Sequence, residues 1–469
     1  RDWSVPGVAI AVVKNDSVVF AKGYGVREVG KSERVDQRTL FAIGSTTKAF
    51  TAAALAMLVD EKKLAWDDPA TRFLPNLQLN DPAATRELSV RDLLTHRTGL
   101  ARGDRIWYAS GFEREDVLRR VRFLKPSWTF RSTYGYQNIM FLAAGQVVQS
   151  ASGKSWDDFV RERIFTPLGM RTTNTSVTAI KPGDNAATPH AKLEDTVRPI
   201  AWRNIDNVGP AGSINSNVLE TAEWVRLQLG EGSYRGRKLL SDSVAKEMHS
   251  PQILVKRSAE AEKLVPMTHL QAYGLGWSIR DYRGRKMVGH GGGIDGFRAE
   301  IGLIPEEELG VVVLSNRGGT NFPVAIMYRV IDAYLGVPER DWSALALAAE
   351  KEAEGKAEAE RKKVEAARVS GTSPSLPLDR YAGVFADSMY GEGHVRVREG
   401  KLAASIGPFF TGTLEHWHFN TFRATWGDAV LGRVFLTFTI DAKGKADVLE
   451  VENLGTFRRK ATEARVADR

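Results

Sequence analysis

The β-rich pattern of this chain is split in two, and that split limits what it can fold into. It opens the sequence, gives way to helical periodicity, and returns only near Gly274, so one sheet must join distant parts of the chain. Gly7 to Gly25 reads GVAIAVVKNDSVVFAKGYG, two β-rich runs around Asn15 and Asp16, which is a hairpin signal. Thr47 to Leu64 is an Ala- and Leu-rich helix, followed by helical stretches at Val90 to Thr95, Ile139 to Ser150 and Ser155 to Ile164. Strand patterns resume at Gly274 to Ile279, Lys286 to Gly289, Phe297 to Ile304 and Gly310 to Ser315, before a helix at Val324 to Leu335. The expected fold is α+β: an antiparallel β-sheet flanked by helices plus a helical subdomain, with chemistry at the seam.

At 469 residues the chain is too long for one average core. Ala344 to Arg368 is almost entirely Ala, Glu, Lys and Arg, which reads as an exposed helix, and Gly371 to Pro377 is rich in Ser and Pro. From Tyr381 onward short alternating strands are separated by Gly and Asp, the pattern of a small all-β barrel. The expected organisation is a large domain over 1–340, a charged helical linker over 341–372 and a small β domain over 373–469.

No apolar run reaches the length of a membrane span, so no transmembrane segment is expected. Arg1 to Val8 lack an apolar leader core, and Pro6 leads directly into a strand; the expectation is a leader already removed and a periplasmic or secreted protein. The absence of Cys excludes thiol catalysis and disulfides. The net charge of +8 comes from Lys and Arg scattered among 57 acidic residues, which argues against nucleic acid as a partner. The expected partners are a small-molecule or peptide substrate and, as an option, further copies of the chain in a homo-oligomer.

Ser45, Thr46, Thr47 and Lys48 open the Ala-rich helix, so the Ser hydroxyl and the Lys amine share a face one turn apart. That spacing brings a base to a nucleophile, and a helix N-terminus favours developing negative charge. Ser243 and Lys246 repeat the spacing in a short polar helix and read as a solvated face. What separates Ser45 is its company. Tyr136, Gln137 and Asn138 are the only Tyr-x-Asn of the chain, and His290, Gly291 and Gly292 its only His-x-Gly, on an expected strand. Taken singly, Tyr136 reads as a core aromatic, His290 as a structural donor and Asn138 as a cap. Taken together in this order, they read as a site.

The order Ser-x-x-Lys, Tyr-x-Asn, then a basic residue plus Gly on a strand resembles the serine β-lactamase and penicillin-binding protein superfamily. The similarity extends to PGVAIAVV from Pro6, LLTHRTGL from Leu93, PLGM from Pro167, PAGSINSN from Pro210, YGLGW from Tyr273 and GHGGGIDGF from Gly289. Within it, residues 1–336 look like class C β-lactamases and the related esterases and D-aminopeptidases. The tail, with LDRYAGVF from Leu378 and MYGEGHVRV from Met389, resembles an appended lipocalin-like domain.

The resemblance implies a serine hydrolase working through an acyl-enzyme. Ser45 would be the nucleophile and Lys48 a base held neutral, with Tyr136 bonded to the pair and relaying a proton to the leaving group; either Lys48 or Tyr136 serves as formal base. Asn138 would orient a substrate carbonyl, and Gly292 and Gly293 would line the oxyanion side, the N–H groups of Ser45 and Gly293 being the donors. His290 stands where most β-lactamases carry Lys, which offers a substrate carboxylate a weaker charge. Gly291, Gly293 and Gly296 also spell G-x-G-x-x-G, but a strand pattern follows rather than the helix of a dinucleotide site. His290 to Gly293 imitates an HGGG loop, yet no G-x-S-x-G elbow occurs. No metal-ligand spacing occurs among the eight His, so neither metal nor cofactor is implied. D-amino-acid peptides or β-lactams are the implied substrates. The alternatives are a promiscuous carboxylesterase and a non-catalytic penicillin-binding or sensor protein that acylates without turnover.

Overall fold

The computed structural model describes residues 2–461. The opening hairpin pairs β1 (Gly7–Lys14) with β2 (Ser17–Gly25). Asn15 and Asp16 both take positive φ, 49° and 54°, which matches the turn to the right-handed twist of its strands. The helical block follows with α1 (Thr47–Asp60), α2 (Asn138–Ser152) and α3 (Val218–Leu229). The chain then returns to strands as β3 (Ile253–Leu254), β4 (Gln271–Tyr273), β5 (Ser278–Tyr282), β6 (Arg285–Ile294), β7 (Phe297–Ile304) and β8 (Leu309–Ser315). These close into one antiparallel eight-stranded sheet of order β2-β1-β8-β7-β6-β5-β4-β3. The register Val8 to Ser315 and Val12 to Val311 joins the first strand to the last.

Helix α4 (Phe322–Tyr334) covers β7 and β8, where Val8, Val12, Val311, Val313, Tyr328 and Ile331 form a continuous core. Helix α3 lies against β1 and β8. Helix α1 is buried on all sides from Thr47 to Leu58, the signature of an internal helix, and it packs on α2. Locally, three elements differ from the sequence reading. Ser45 sits in a 3₁₀ turn, Gly44–Thr46, that leads into α1 rather than in the helix itself. The segment Gly274–Trp277 is a turn between β4 and β5, with Gly276 at φ 77°. The stretch after Val160 loosens into a π turn over Arg161–Phe165.

The last helix, α5 (Trp342–Ala366), buries Trp342, Ala346 and Glu350 on its first turns and exposes the charged remainder. Glu350 is held by Arg317 at 3.0 Å. The described chain divides into two compact units, one of residues 2–103 and 124–354 and the other of residues 104–123 and 355–461.

The second unit is a closed eight-stranded antiparallel barrel: β9 (Gly383–Asp387), β10 (Gly391–Arg398), β11 (Lys401–Ile406), β12 (Phe410–His418), β13 (Thr421–Trp426), β14 (Arg433–Ile440), β15 (Ala446–Val451) and β16 (Gly455–Arg459). Phe385 facing Arg459 closes the ring and removes the free edges. Alternation along β13 helps fill its interior: Phe422, Ala424 and Trp426 point in while Arg423 and Thr425 point out. Segment 104–123 belongs to this unit. Ala109 enters the barrel core with Tyr108 beside it, and the Arg120 guanidinium donates to the Ser388 carbonyl at 2.9 Å.

Among the described residues, no helix is long and apolar enough to cross a membrane, and no cluster of His, Asp and Glu could hold a metal ion.

Candidate active site

Ser45 is the one residue from Phe41 to Phe50 that is not buried. Its hydroxyl oxygen accepts a bond from Lys48 Nζ at 3.1 Å, while Lys48 itself is wholly buried. Lys48 Nζ also donates to Asn138 Oδ1 at 2.7 Å and to the Ala211 carbonyl at 2.8 Å. One amine is thus tied to three segments of the first unit: the 3₁₀ turn, the start of α2 and the Gly209–Gly212 turn. It lies 4.8 Å from the Tyr136 ring centre and 5.2 Å from that of Phe141. The half-buried Tyr136 ring also carries the exposed Arg102 guanidinium at 5.1 Å.

The α2 N-terminus explains how Tyr136 and Asn138 are aimed. Gln137 is the N-cap; its Oε1 accepts the Ile139 N–H at 2.9 Å and its Nε2 donates to the Ala101 carbonyl at 2.7 Å. Tyr136 therefore precedes the cap and Asn138 begins the helix, so the two side chains emerge on either side of a fixed residue.

On the sheet, β6 delivers His290 and the glycines. Gly44 has φ 52°, and a Cβ there would stand 2.6 Å from the Gly293 nitrogen; one on Gly292 would stand 1.9 Å from the Ile43 carbonyl oxygen. Strand and turn approach so closely that only backbone fits between them. His290 is 6% exposed, with its ring centre 6.5 Å from that of Tyr136. Its Nδ1 lies 2.6 Å from the Gly291 carbonyl oxygen, which can only accept, so Nδ1 carries the proton. Nε2 then accepts from the Tyr273 hydroxyl at 2.8 Å. Burial, helped by the charge of Lys48, pushes the His290 pKa down to about 3. Burial also holds the Tyr273 phenol far above its ordinary range.

The seven sequence-expected residues Ser45, Lys48, Tyr136, Asn138, His290, Gly292 and Gly293 thus lie in one neighbourhood. The second Ser-x-x-Lys does not join them: Ser243 and Lys246 are on the surface, where Lys246 pairs with Glu231 at 3.3 Å. Three participants were not singled out from sequence: the Ala211 carbonyl, the Tyr273 hydroxyl and Arg102. Ala211 and Tyr273 fall inside PAGSINSN and YGLGW, so those matching strings were their only signal.

Residues 1–335 match the family model described as Beta-lactamase. The chain belongs to the Beta-lactamase family. Residues 367–466 match a second model, a domain of unknown function termed DUF3471, over the stretch that forms the barrel. This Beta-lactamase family member is 31% identical to the unguisins hydrolase ungD of Aspergillus violaceofuscus (strain CBS 115571) over 440 residues, covering 86% of this chain and 76% of that protein. The octameric penicillin-binding protein homologue from Pyrococcus abyssi superposes with a TM-score of 0.65 at 23% identity, over 97% of each chain. The D-stereospecific amidohydrolase from Streptomyces sp. superposes with a TM-score of 0.56 at 23% identity, over 69% of this chain and 94% of the other. The family and the unguisins hydrolase relative support a hydrolase of the serine β-lactamase fold.

Proposed function

We propose that this protein hydrolyses amide or ester bonds of small peptide-like substrates through an acyl-enzyme on Ser45. The carrying observation is the half-buried Ser45 hydroxyl at 3.1 Å from a buried amine that Asn138 Oδ1 and the Ala211 carbonyl both hold as acceptors. Neither acceptor can donate. A neutral Lys48 would keep its two N–H groups on them and turn its lone pair toward the Ser45 hydroxyl, the arrangement a general base requires. Lys48 takes that proton as Ser45 Oγ attacks the substrate carbonyl, and the N–H groups of Ser45 and Gly293 receive the developing oxyanion, each contributing about 3 kcal/mol. Tyr136 passes a proton to the departing nitrogen or oxygen, Asn138 orients the substrate amide, and water then releases the acyl group.

His290 enters this scheme as a neutral imidazole with both nitrogens engaged, at Tyr273 and Gly291. It offers a substrate carboxylate neither a charge nor an open donor. The proposal therefore favours amides whose recognition does not depend on an anion at this strand, in line with the D-stereospecific amidohydrolase and the unguisins hydrolase among the relatives, over β-lactams.

The deciding experiment compares the wild-type protein with Ser45→Ala on p-nitrophenyl acetate, a D-alanyl p-nitroanilide and a cephalosporin. Loss of turnover on all active substrates supports the nucleophile; full turnover by the variant removes it. Preference for short acyl esters over the D-alanyl amide indicates a carboxylesterase. A permanent mass adduct with the cephalosporin and no turnover indicates a sensor.

A further inference from the structure

We propose that His96 is a positioning residue for this reaction, setting Tyr136 and Asn138 by bracketing the backbone around Tyr136. The inference rests on the roles proposed above for those two residues. The residues flanking Tyr136 both donate to His96: the Gly135 N–H to its carbonyl oxygen at 2.8 Å and the Gln137 N–H to its Nδ1 at 3.0 Å. Between these bonds the imidazole lies tilted against the phenol ring, with centroids 4.2 Å apart. The ring also meets Tyr273 at 4.6 Å and Phe141 at 5.2 Å. Tyr273 carries the bond to His290, so His96 touches what holds His290 as well as what holds Tyr136 and Asn138.

The chain on both sides is clamped so that this bracket is rigid. Ser89 and Asp92 form a capping box on the helix Val90–Leu93 just before His96. The same buried Asp92 carboxylate accepts from Arg97 at 2.7 Å, next to His96, and from Arg131 at 2.6 Å, five residues before Tyr136. His96 takes φ 56°, a left-handed conformation that Asn tolerates better than most residues.

The chemistry of the ring fits a fixed acceptor. With Nδ1 accepting, the proton sits on Nε2, which is buried with no hydrogen-bond partner among the described residues. Protonating Nδ1 would break the bond to Gln137 and bury a charge beside the amine of Lys48. Burial, then the charge of Lys48, holds His96 well below its ordinary pKa.

The test compares His96→Phe, which keeps a ring but removes the acceptor, with His96→Asn, whose side-chain oxygen replaces the acceptor at the same backbone conformation. With p-nitrophenyl acetate, H96F is expected to lose about 30- to 100-fold in kcat with KM within about threefold, because misaligned catalytic groups cost rate rather than binding. H96N is expected to recover kcat to within about fivefold of wild type at a similar melting temperature. A folded H96F with unchanged kcat overturns the inference. So does H96N losing more than about tenfold at unchanged melting temperature, a reading that stands alone should H96F not fold. Ser45→Ala runs alongside: full turnover there overturns the functional reading and this inference together, whereas an inactive Ser45→Ala with a fully active H96F overturns this inference alone.

Discussion

The molecule carries Ser-x-x-Lys twice, and the two copies have opposite surroundings. Lys246 is 64% exposed at its side chain and pairs with Glu231 across solvent, next to an exposed Ser243. Lys48 is wholly buried, and its amine is tied to the Ser45 hydroxyl, to Asn138 and to a backbone carbonyl. An exposed ion pair of this kind is screened by water and contributes little. A buried amine among neutral acceptors faces the desolvation that makes a neutral form accessible. Spacing alone does not make a nucleophile; the site needs removal from water and partners from distant parts of the chain.

The sharpest test of this contrast is to remove each serine in turn. Ser45→Ala should lower kcat/KM on p-nitrophenyl acetate by about 10³-fold or more, while Ser243→Ala should stay within about twofold of wild type. Equal effects would erase the distinction. Next in size, Tyr136→Phe should lower kcat by about 10²-fold without shifting the melting temperature by more than a few degrees, because it removes a proton relay and keeps the ring. Gly44→Ala probes the close approach of turn and strand: at φ 52°, with a Cβ 2.6 Å from the Gly293 nitrogen, it should cost about 1–3 kcal/mol of stability and impair turnover. The corresponding substitution at Gly236, at φ 75° with open space around it, carries the backbone penalty alone and should leave turnover intact.

A pH dependence of stability set by burial is also expected. His290 and His249 are pushed down to about 3, and His96 well below 6.5, by desolvation first in each case. These rings stay neutral in the folded chain while the unfolded chain protonates near pH 6.5, so below pH 6.5 the unfolded state binds more protons, down to about 3 for His290 and His249. Their contribution is therefore complete above pH 6.5 and falls with acidification through that window, by up to about 1.4 kcal/mol per pH unit for each ring. Differential scanning fluorimetry should show a lower melting temperature at pH 5.0 than at pH 7.5. An increase on acidification would contradict the neutral state assigned to these rings.

Much of this architecture was legible in residues because local pattern and global role coincide there. The Asn15–Asp16 turn, the Ala-rich α1 and the strands from Phe297 to Ile304 and Leu309 to Ser315 are readable by periodicity. The candidate site was legible as a set of motifs in order, since Ser45, Lys48, Tyr136, Asn138 and His290 are side chains with recognisable chemistry. What stayed hidden depends on tertiary contact. The Ala211 carbonyl is an acceptor any residue could supply, and His96 is a ring whose importance lies in two backbone N–H groups brought to it. Likewise, nothing in the composition of 104–123 marks it as part of the barrel unit, because its anchors, Ala109 and Tyr108 in the core and the Arg120 bond to the Ser388 carbonyl, depend on strands far along the chain.

That borrowed segment means the barrel is not an appendix that a stop codon near Gly355 could remove cleanly. Such a shortened chain would still synthesise Tyr108 and Ala109, yet never the strands that shelter them, and would carry a sticky patch in place of a finished surface. A chain that kept the first unit without the second would need a different sequence over this stretch to leave a finished surface.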